Sequence, residues 1–292
     1  MDCTSGASRS FGDVSAQPAS LPAMTNYVTS NDGTSIAYSL HGSGPNVIMV
    51  GGGLDDGSEN EPLAAWLASD FSVYNYARRG RGDSGSTQPY AVEREIEDLA
   101  ALLAEAGGTA NIFGASSGGA LVLRAAAAGL PIDRLAVYDV PYCMDDETHR
   151  RAQEYVAKVG PAVAQGRLDD ALELFLWLAG TAPEEISGMK ASPYWPGMRA
   201  VAHTLAAEAA VLGDHRPPKE LDAITRPALL VDSGQSAGSP GMSGLPQDFF
   251  ARAADAVADL VPHAERRTLS DQGHVAAPDA LGPILKAFFN RG

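Results

Sequence analysis

The stretch from Ala110 to Ala128 constrains the fold more than any other part of the chain. Ala110 to Phe113 is a short apolar run of strand type. Gly114-Ala115-Ser116-Ser117-Gly118 then matches the pattern G-x-S-x-G, and Ser117 to Ala128 is an alanine-rich run of helix type. Strand, tight turn and helix in that order place a serine on a sharp, strained corner, where small neighbours let the backbones approach. The helix that follows aims its first N–H groups at any negative charge developing there. The pattern alone is weak, because with 31 Gly in the chain about one sequence in four of this composition matches it by chance. A second match, Gly234-Gln235-Ser236-Ala237-Gly238, also follows a strand-like run. The residues after it, Ser239-Pro240-Gly241-Met242-Ser243-Gly244, read as a loop and do not begin a helix. Ser116 is therefore the expected nucleophile position and Ser236 the lesser candidate.

The same alternation extends to both sides. Thr25 to Ser30 and Ser35 to Leu40 flank Asn31-Asp32-Gly33, a hairpin signal. Asn46 to Val50 is a run of buried-strand type ending in Gly51-Gly52-Gly53, and Phe71 to Tyr76 is another strand. Val92, Ile96, Leu99 and Leu103 fall on one helical face, with Glu93, Glu95, Glu97 and Asp98 mostly off it. Further strands are expected at Leu135 to Tyr138, Ala228 to Val231 and Arg266 to Leu269, with helices at Gln247 to Leu260 and Pro278 to Phe289. The pattern predicts an α/β fold: a mostly parallel sheet with helices on both faces. It is broken between about Cys143 and Lys219 by a helical stretch holding Trp177, Tyr194 and Trp195, which reads as a cap inserted after the sixth strand. The expected organisation is a flexible tail over 1–24, a core formed by 25–142 and 220–292, and a helical cap over 143–219.

Composition narrows the partners. A chain of 292 residues with a net charge of −15 repels phosphate backbones, which argues against nucleic acid. No apolar run approaches the roughly 20 residues of a membrane span. The first residues lack a basic start and an apolar middle, so cytoplasmic location is expected. The two cysteines, Cys3 and Cys143, offer no metal spacing, and a bridge to Cys3 in the expected tail is not anticipated. A small-molecule substrate, no cofactor, no metal, and a monomer or homodimer are the expectations.

In such a fold the acid and then the base follow the serine in the chain. His274, in Asp271-Gln272-Gly273-His274 between the last strand and the last helix, is the expected base. His263 lies at the wrong end of that strand. His41, His149, His203 and His215 fit the order badly, although His203 is a candidate to face the substrate. For the acid, Asp139 at the end of the strand Leu135 to Tyr138 is favoured over Asp232, and both remain open. The oxyanion donors are expected at the N–H groups of Gly53 and Ser117. The dense turn Arg78-Arg79-Gly80-Arg81-Gly82-Asp83-Ser84-Gly85 lacks the Lys and Ser/Thr of a phosphate loop. It reads as an Arg–Asp network supporting the neighbouring turn, with a direct substrate role for Arg78 as the alternative.

With these residues in view, the chain resembles the α/β-hydrolase superfamily, in its bacterial branch with a helical lid. The resemblance is carried by YSLHGSGPNVIMVGGG, YARRGRGDSGSTQPYAVEREIEDLAALL, FGASSGGALVLRAAAAGLP with LAVYDVPY, SPYWPGMRAVAHTL, and LSDQGHVAAPDALGPILKAFF. It implies an eight-stranded core, a lid, and cofactor-free hydrolysis of an ester or related bond by Ser116 and His274. The chain departs from the family pattern in having Ala115 before the serine, Gly51-Gly52 in place of His-Gly, and no acidic residue in the loop from Ser233 to Leu245. Relatives that cleave epoxides or carbon–halogen bonds place Asp where this chain has Ser116. The expected activity is a serine hydrolase acting on a small or medium apolar ester, thioester or lactone, with Phe175, Trp177, Tyr194 and Trp195 as candidate pocket residues. A non-hydrolytic reaction at the same site (cyclisation, elimination or acyl transfer) and a ligand-binding protein on this scaffold are the alternatives.

Overall fold

The computed structural model describes residues 25–234 and 242–291. The expected tail, Cys3 and Ser236 lie outside the described residues. The strands are β1 (Thr25–Thr29), β2 (Ser35–His41), β3 (Asn46–Val50), β4 (Ser72–Tyr76), β5 (Ala110–Ala115), β6 (Ile132–Tyr138), β7 (Ala228–Asp232) and β8 (Glu265–Thr268). They form one 8-stranded sheet in the order β1-β2-β4-β3-β5-β6-β7-β8. β2 pairs antiparallel with β1 and β4, and every later pairing is parallel. The hairpin joining β1 and β2 turns at Gly33, whose φ of 83° suits glycine, while Asp32 accepts the Thr34 N–H at 3.0 Å.

The helices are α1 (Glu61–Leu67), α2 (Val92–Glu105), α3 (Ser117–Ala127), α4 (Asp146–Ala164), α5 (Leu168–Leu178), α6 (Pro183–Lys190), α7 (Trp195–Val201), α8 (Leu205–Leu212), α9 (Phe249–Leu260) and α10 (Pro278–Phe289). Alternation along β3 explains the two layers. Val47 and Met49 pack with Leu63, Leu67, Leu281 and Leu285 of α1 and α10. Ile48 and Val50 pack with Leu99, Leu121 and Val257 of α2, α3 and α9. A sheet covered on both faces explains why its central strands are apolar throughout rather than alternating. β8 closes one edge with Glu265, Arg266 and Arg267, charges that discourage further pairing there. The expected eight strands are present. Helix α1 escapes sequence reading because its 7 residues and early Pro62 give too short a period to detect.

Helices α4 to α8 lie between β6 and β7 and share an apolar cluster of their own around Tyr155, Leu172, Leu176, Trp195 and Leu205. No helix among the described residues is long and apolar enough to cross a membrane.

At the crossover from β5 to α3 the backbones nearly touch. A Cβ on Gly118 would lie 2.4 Å from the Val50 carbonyl oxygen and 2.5 Å from that of Gly51. A Cβ on Gly114 would lie 2.7 Å from the Gly118 oxygen. Neither glycine has positive φ, so it is closeness rather than conformation that requires them here. Gly118→Ala is expected to destabilise the fold by roughly 1–3 kcal/mol or more, since the obstructing atoms are backbone of a central strand. Urea unfolding checks this, and an unchanged midpoint would show that α3 can draw back from β3.

Candidate active site

Ser116, Asp139 and His274 all follow the carboxyl ends of parallel strands, the side on which open α/β sheets of this kind bind ligands. Ser116 follows β5 with φ 54° and ψ −129°, an unusual backbone for a residue with a side chain. The turn is held because the Ser116 N–H donates to the Tyr138 carbonyl at 2.8 Å and the Ser116 carbonyl accepts from the Gly119 N–H at 2.9 Å. Asp139 follows β6, also at positive φ (49°). Its Oδ1 accepts the Ser233 N–H at 2.8 Å, and its Oδ2 lies 3.2 Å from Nδ1 of His274. Burial pushes the Asp139 carboxyl above the usual carboxylate range, and the hydrogen bond from His274 opposes that rise. The His274 ring stacks on Phe250 with centroids 4.9 Å apart, which fixes its plane. Ser116 and His274 line the same cavity.

The structure thus brings Ser116, His274 and Asp139 to one place. Asp232 faces elsewhere. Its carboxylate is buried and occupied by Arg266, by the Thr268 hydroxyl at 3.1 Å and by the Gly234 N–H at 2.9 Å.

Ser117 occupies the first position of α3, where helix geometry gives its N–H no intrahelical acceptor. The Gly52 carbonyl accepts from Nη1 of Arg81, which also reaches the Asp55 carbonyl at 3.2 Å. In a trans peptide the carbonyl of Gly52 and the N–H of Gly53 point in opposite directions. Arg81 therefore turns the Gly53 N–H away from itself. Gly52 and Gly53 both line the cavity, and a Cβ on Gly52 would lie 2.9 Å from the Ser116 Cβ.

Behind this loop is a buried ion cluster that the sequence reading assigned in part. Arg78 makes paired bonds of 2.7 and 2.8 Å to Glu95 of α2 and also reaches Glu208 of α8 at 2.6 Å. Arg81 bonds the same Glu208 oxygen, whose other oxygen accepts the Ser117 hydroxyl. Arg79 pairs with Asp98 at 2.7 Å and Asp32 at 3.0 Å. Asp83, the acid within the turn, is exposed. The network expected within the turn is instead made with α2, α8 and the hairpin. Arg78 is 2% exposed and enclosed by carboxylates, which leaves it no direct substrate role. Burial alone would raise the Glu95 carboxyl, and the charge and hydrogen bonds of Arg78, the charge of Arg81 and the Tyr90 hydroxyl together bring it below its ordinary value. Glu208 was not anticipated. Its one signal is a lone charge in the apolar run LAAEAAVL.

The cavity has a volume of about 160 Å³. Its apolar wall includes Phe175, Leu178, Leu212, Leu245, Phe249 and Phe250. Of the four expected aromatic residues Phe175 is there, and its ring lies against Gly53. The other three require correction. Trp177 packs within the helical cluster with Arg151 over its ring. Trp195 is buried in the same cluster and donates to Asp169 at 2.8 Å. Tyr194 is 77% exposed. His203 is likewise exposed and bonds the Gly80 carbonyl. The histidine that joins His274 in the wall is His215. Burial pushes the Cys143 thiol, also in this wall, up to about 11, so it stays protonated at neutral pH and is no rival nucleophile.

A sheet of this strand order, with a serine on the elbow after a central strand, defines the α/β-hydrolase fold. The chain matches the model of the Alpha/beta hydrolase family over residues 40–282, belongs to that family, and is a hydrolase. It is similar to an alpha/beta hydrolase from Sphaerobacter thermophilus DSM 20745, with 45% identity, a TM-score of 0.80, and coverage of 91% of this chain and 100% of that one. The uncharacterized hydrolase YraK of Bacillus subtilis (strain 168) is 36% identical over 95 residues, which span 31% of this chain and 35% of that relative. The esterase RhEst1 from Rhodococcus sp. ECU1013 shares the fold at 19% identity and a TM-score of 0.63, covering 91% of this chain and 98% of its own.

Two expectations follow from the buried charges. Glu208→Ala leaves Arg81 without its carboxylate and should destabilise the protein by about 3–5 kcal/mol. Guanidinium unfolding measures it, and a loss under about 1 kcal/mol would mean that solvent reaches the arginines. Burial pushes His215 down from 6.5 to about 4, against a smaller upward pull from Asp214. The folded chain holds it neutral, so its contribution to stability is full above pH 6.5 and is lost as pH falls toward about 4. His215→Asn should flatten the stability profile across that window, where the wild type loses up to about 3 kcal/mol more than the variant.

Proposed function

We propose that this protein is a serine hydrolase that cleaves a small or medium apolar ester, thioester or lactone through an acyl-enzyme. The observation that carries this reading is that a strained Ser116 shares one largely apolar cavity with a histidine whose Nδ1 is already held by a buried aspartate. Such a histidine is fixed in the tautomer that leaves Nε2 free to take a proton. Ser116 Oγ attacks the substrate carbonyl carbon as His274 accepts the hydroxyl proton. The oxyanion is held by the N–H groups of Gly53 and Ser117, the first aimed by Arg81 and the second by the start of α3. Collapse of the tetrahedral species breaks the bond to the alcohol or thiol, which leaves with the proton from His274. Water, deprotonated by His274, then attacks the acyl carbon and releases the acid and free Ser116.

Asp139 stabilises the imidazolium that forms twice in the cycle. Helices α4 to α8 act as the cap, supplying Phe175, Leu178 and Leu212 to the apolar wall. A cavity of about 160 Å³ is close to the size that holds one benzene-sized molecule, which favours a compact acyl or alcohol group. The esterase among the structural neighbours is consistent with this bond type.

Intact-mass labelling with a fluorophosphonate should give one adduct on the wild type and none on Ser116→Ala. Asp139→Asn should lower kcat on a p-nitrophenyl ester by roughly 10³- to 10⁴-fold, while Asp232→Asn should keep kcat and lower the melting temperature. The opposite pattern would move the acid to Asp232, and a folded wild type that takes no label would remove the serine mechanism.

A further inference from the structure

One polar group in the cavity wall has no use in the reaction just described. His215 is 2% exposed and sits at φ 61°, a left-handed conformation uncommon for residues other than glycine, asparagine and aspartate. Its backbone is fully used: the N–H donates to the Leu212 carbonyl at 3.0 Å, and the carbonyl accepts from the Cys143 N–H at 2.7 Å. With the backbone occupied, the imidazole is the remaining polar group of this cavity-lining residue. The ring packs edge-on against Tyr155, with centroids 6.4 Å apart. Its Nε2 is buried and has no hydrogen-bond partner among the described residues. Buried polar atoms are nearly always paired, and an orphan on a strained backbone at a ligand cavity points to a partner that arrives with the ligand.

The same stretch of wall holds Thr148 and Cys143. The Thr148 hydroxyl donates its hydrogen to Asp145 at 2.8 Å, so its oxygen has accepting capacity left. The imidazole is neutral at pH 7, with one donor and one acceptor nitrogen. Nothing in this stretch carries the positive charge that a carboxylate or phosphate would need. The cations whose charge reaches Cys143, Arg216 and Arg151, stand outside the cavity lining beside Asp146 and Glu147, and Arg78 and Arg81 are already matched by Glu95 and Glu208.

We infer that His215 is a specificity-determining residue that reads a neutral hydroxyl or keto oxygen on an otherwise apolar substrate. The site then selects an oxygenated ester, thioester or lactone over its plain alkyl counterpart. This rests on the hydrolase reading above, with the reacting bond at Ser116 and the recognised oxygen at the wall formed by Cys143, Thr148, Tyr155 and His215. A hydroxyl suits the wall best, since it can accept from or donate to Nε2 whichever tautomer is present, and can donate to Thr148.

The test uses matched pairs of p-nitrophenyl and alkyl esters, with and without a hydroxyl or keto oxygen, placed along the acyl or the alcohol chain. The wild type should prefer the best oxygenated member by about tenfold in kcat/KM, the discrimination one buried hydrogen bond supplies. His215→Asn tolerates the backbone but withdraws the polar atom from the Nε2 position, and should bring the ratio to within about twofold. His215→Gln returns a polar atom to that position and should restore part of the preference. Circular dichroism establishes that both variants fold. A second arm needs no turnover: on Ser116→Ala, 2-pentanone or 1-pentanol should shift the His215 Nε2 resonance in a ¹⁵N spectrum, and 1-pentene should not. Hydrolysis without preference for any oxygenated ester, or a preference that survives in His215→Asn, overturns the inference and leaves the serine mechanism standing. A shift of Nε2 without labelling of Ser116 keeps the subsite and removes the mechanism. No shift with either oxygenated ligand overturns the subsite.

Discussion

Glu208 is a buried carboxylate on a helix far from Ser116 in the chain, and the active-site end of the molecule is assembled around it. Two guanidinium groups and the hydroxyl of Ser117 meet its oxygens. Arg78 continues to Glu95 on α2, and Arg81 to the carbonyl of Gly52. One cluster thus ties together the loop after β3, the turn after β4, the start of α3, and a helix inserted between β6 and β7. Arg78 and Arg81 against Glu95 and Glu208 sum to no net charge, which is the condition for keeping four ionised groups out of water.

The consequence is a site whose hydrogen-bond donors are set before any ligand arrives. A backbone N–H has no rotamer, so its direction is decided by what holds the adjoining carbonyl. Arg81 holds that of Gly52, and the first turn of α3 directs Ser117. Fixed dipoles of this kind are what the proposed oxyanion stabilisation requires, since they need not reorganise during a reaction. The histidine is treated alike: Asp139 holds one nitrogen and Phe250 holds the plane of the ring. Asp139 is positioned in turn by the Ser233 N–H.

The frame was legible in the sequence because it is written in local signals. Strand runs, turn glycines and the elbow around Ser116 each depend on neighbours within a few residues. The place of His274 was legible by chain order, and its carboxylate partner only as a choice between Asp139 and Asp232. The pairing of the arginine turn was half legible: the need for carboxylates was plain, but their source was not. Glu95 and Asp98 stand 3 residues apart on α2, on the side turned toward Arg78 and Arg79, although the hydrophobic periodicity put them mostly off the buried face. Periodicity reports apolar burial and cannot see a charge buried against another charge.

The inserted helices were the least legible part. Aromatic side chains suggested a pocket, yet Trp177 and Trp195 serve the cluster that holds those helices to one another, and Tyr194 faces solvent. Which face of α4, α5 or α8 turns to the cavity depends on how the helices pack, a matter of contacts between residues distant in the chain. By itself the sequence determined the doubly covered parallel sheet, the elbow at Ser116 and the loop that carries His274, because those rest on short-range sterics and on period. Tertiary structure alone decided that Asp139 rather than Asp232 meets His274, that Glu208 closes the arginine cluster, and that His215 rather than His203 lines the cavity. Each of those outcomes depends on where long-range packing brings a charge or a ring, and no local pattern encodes that.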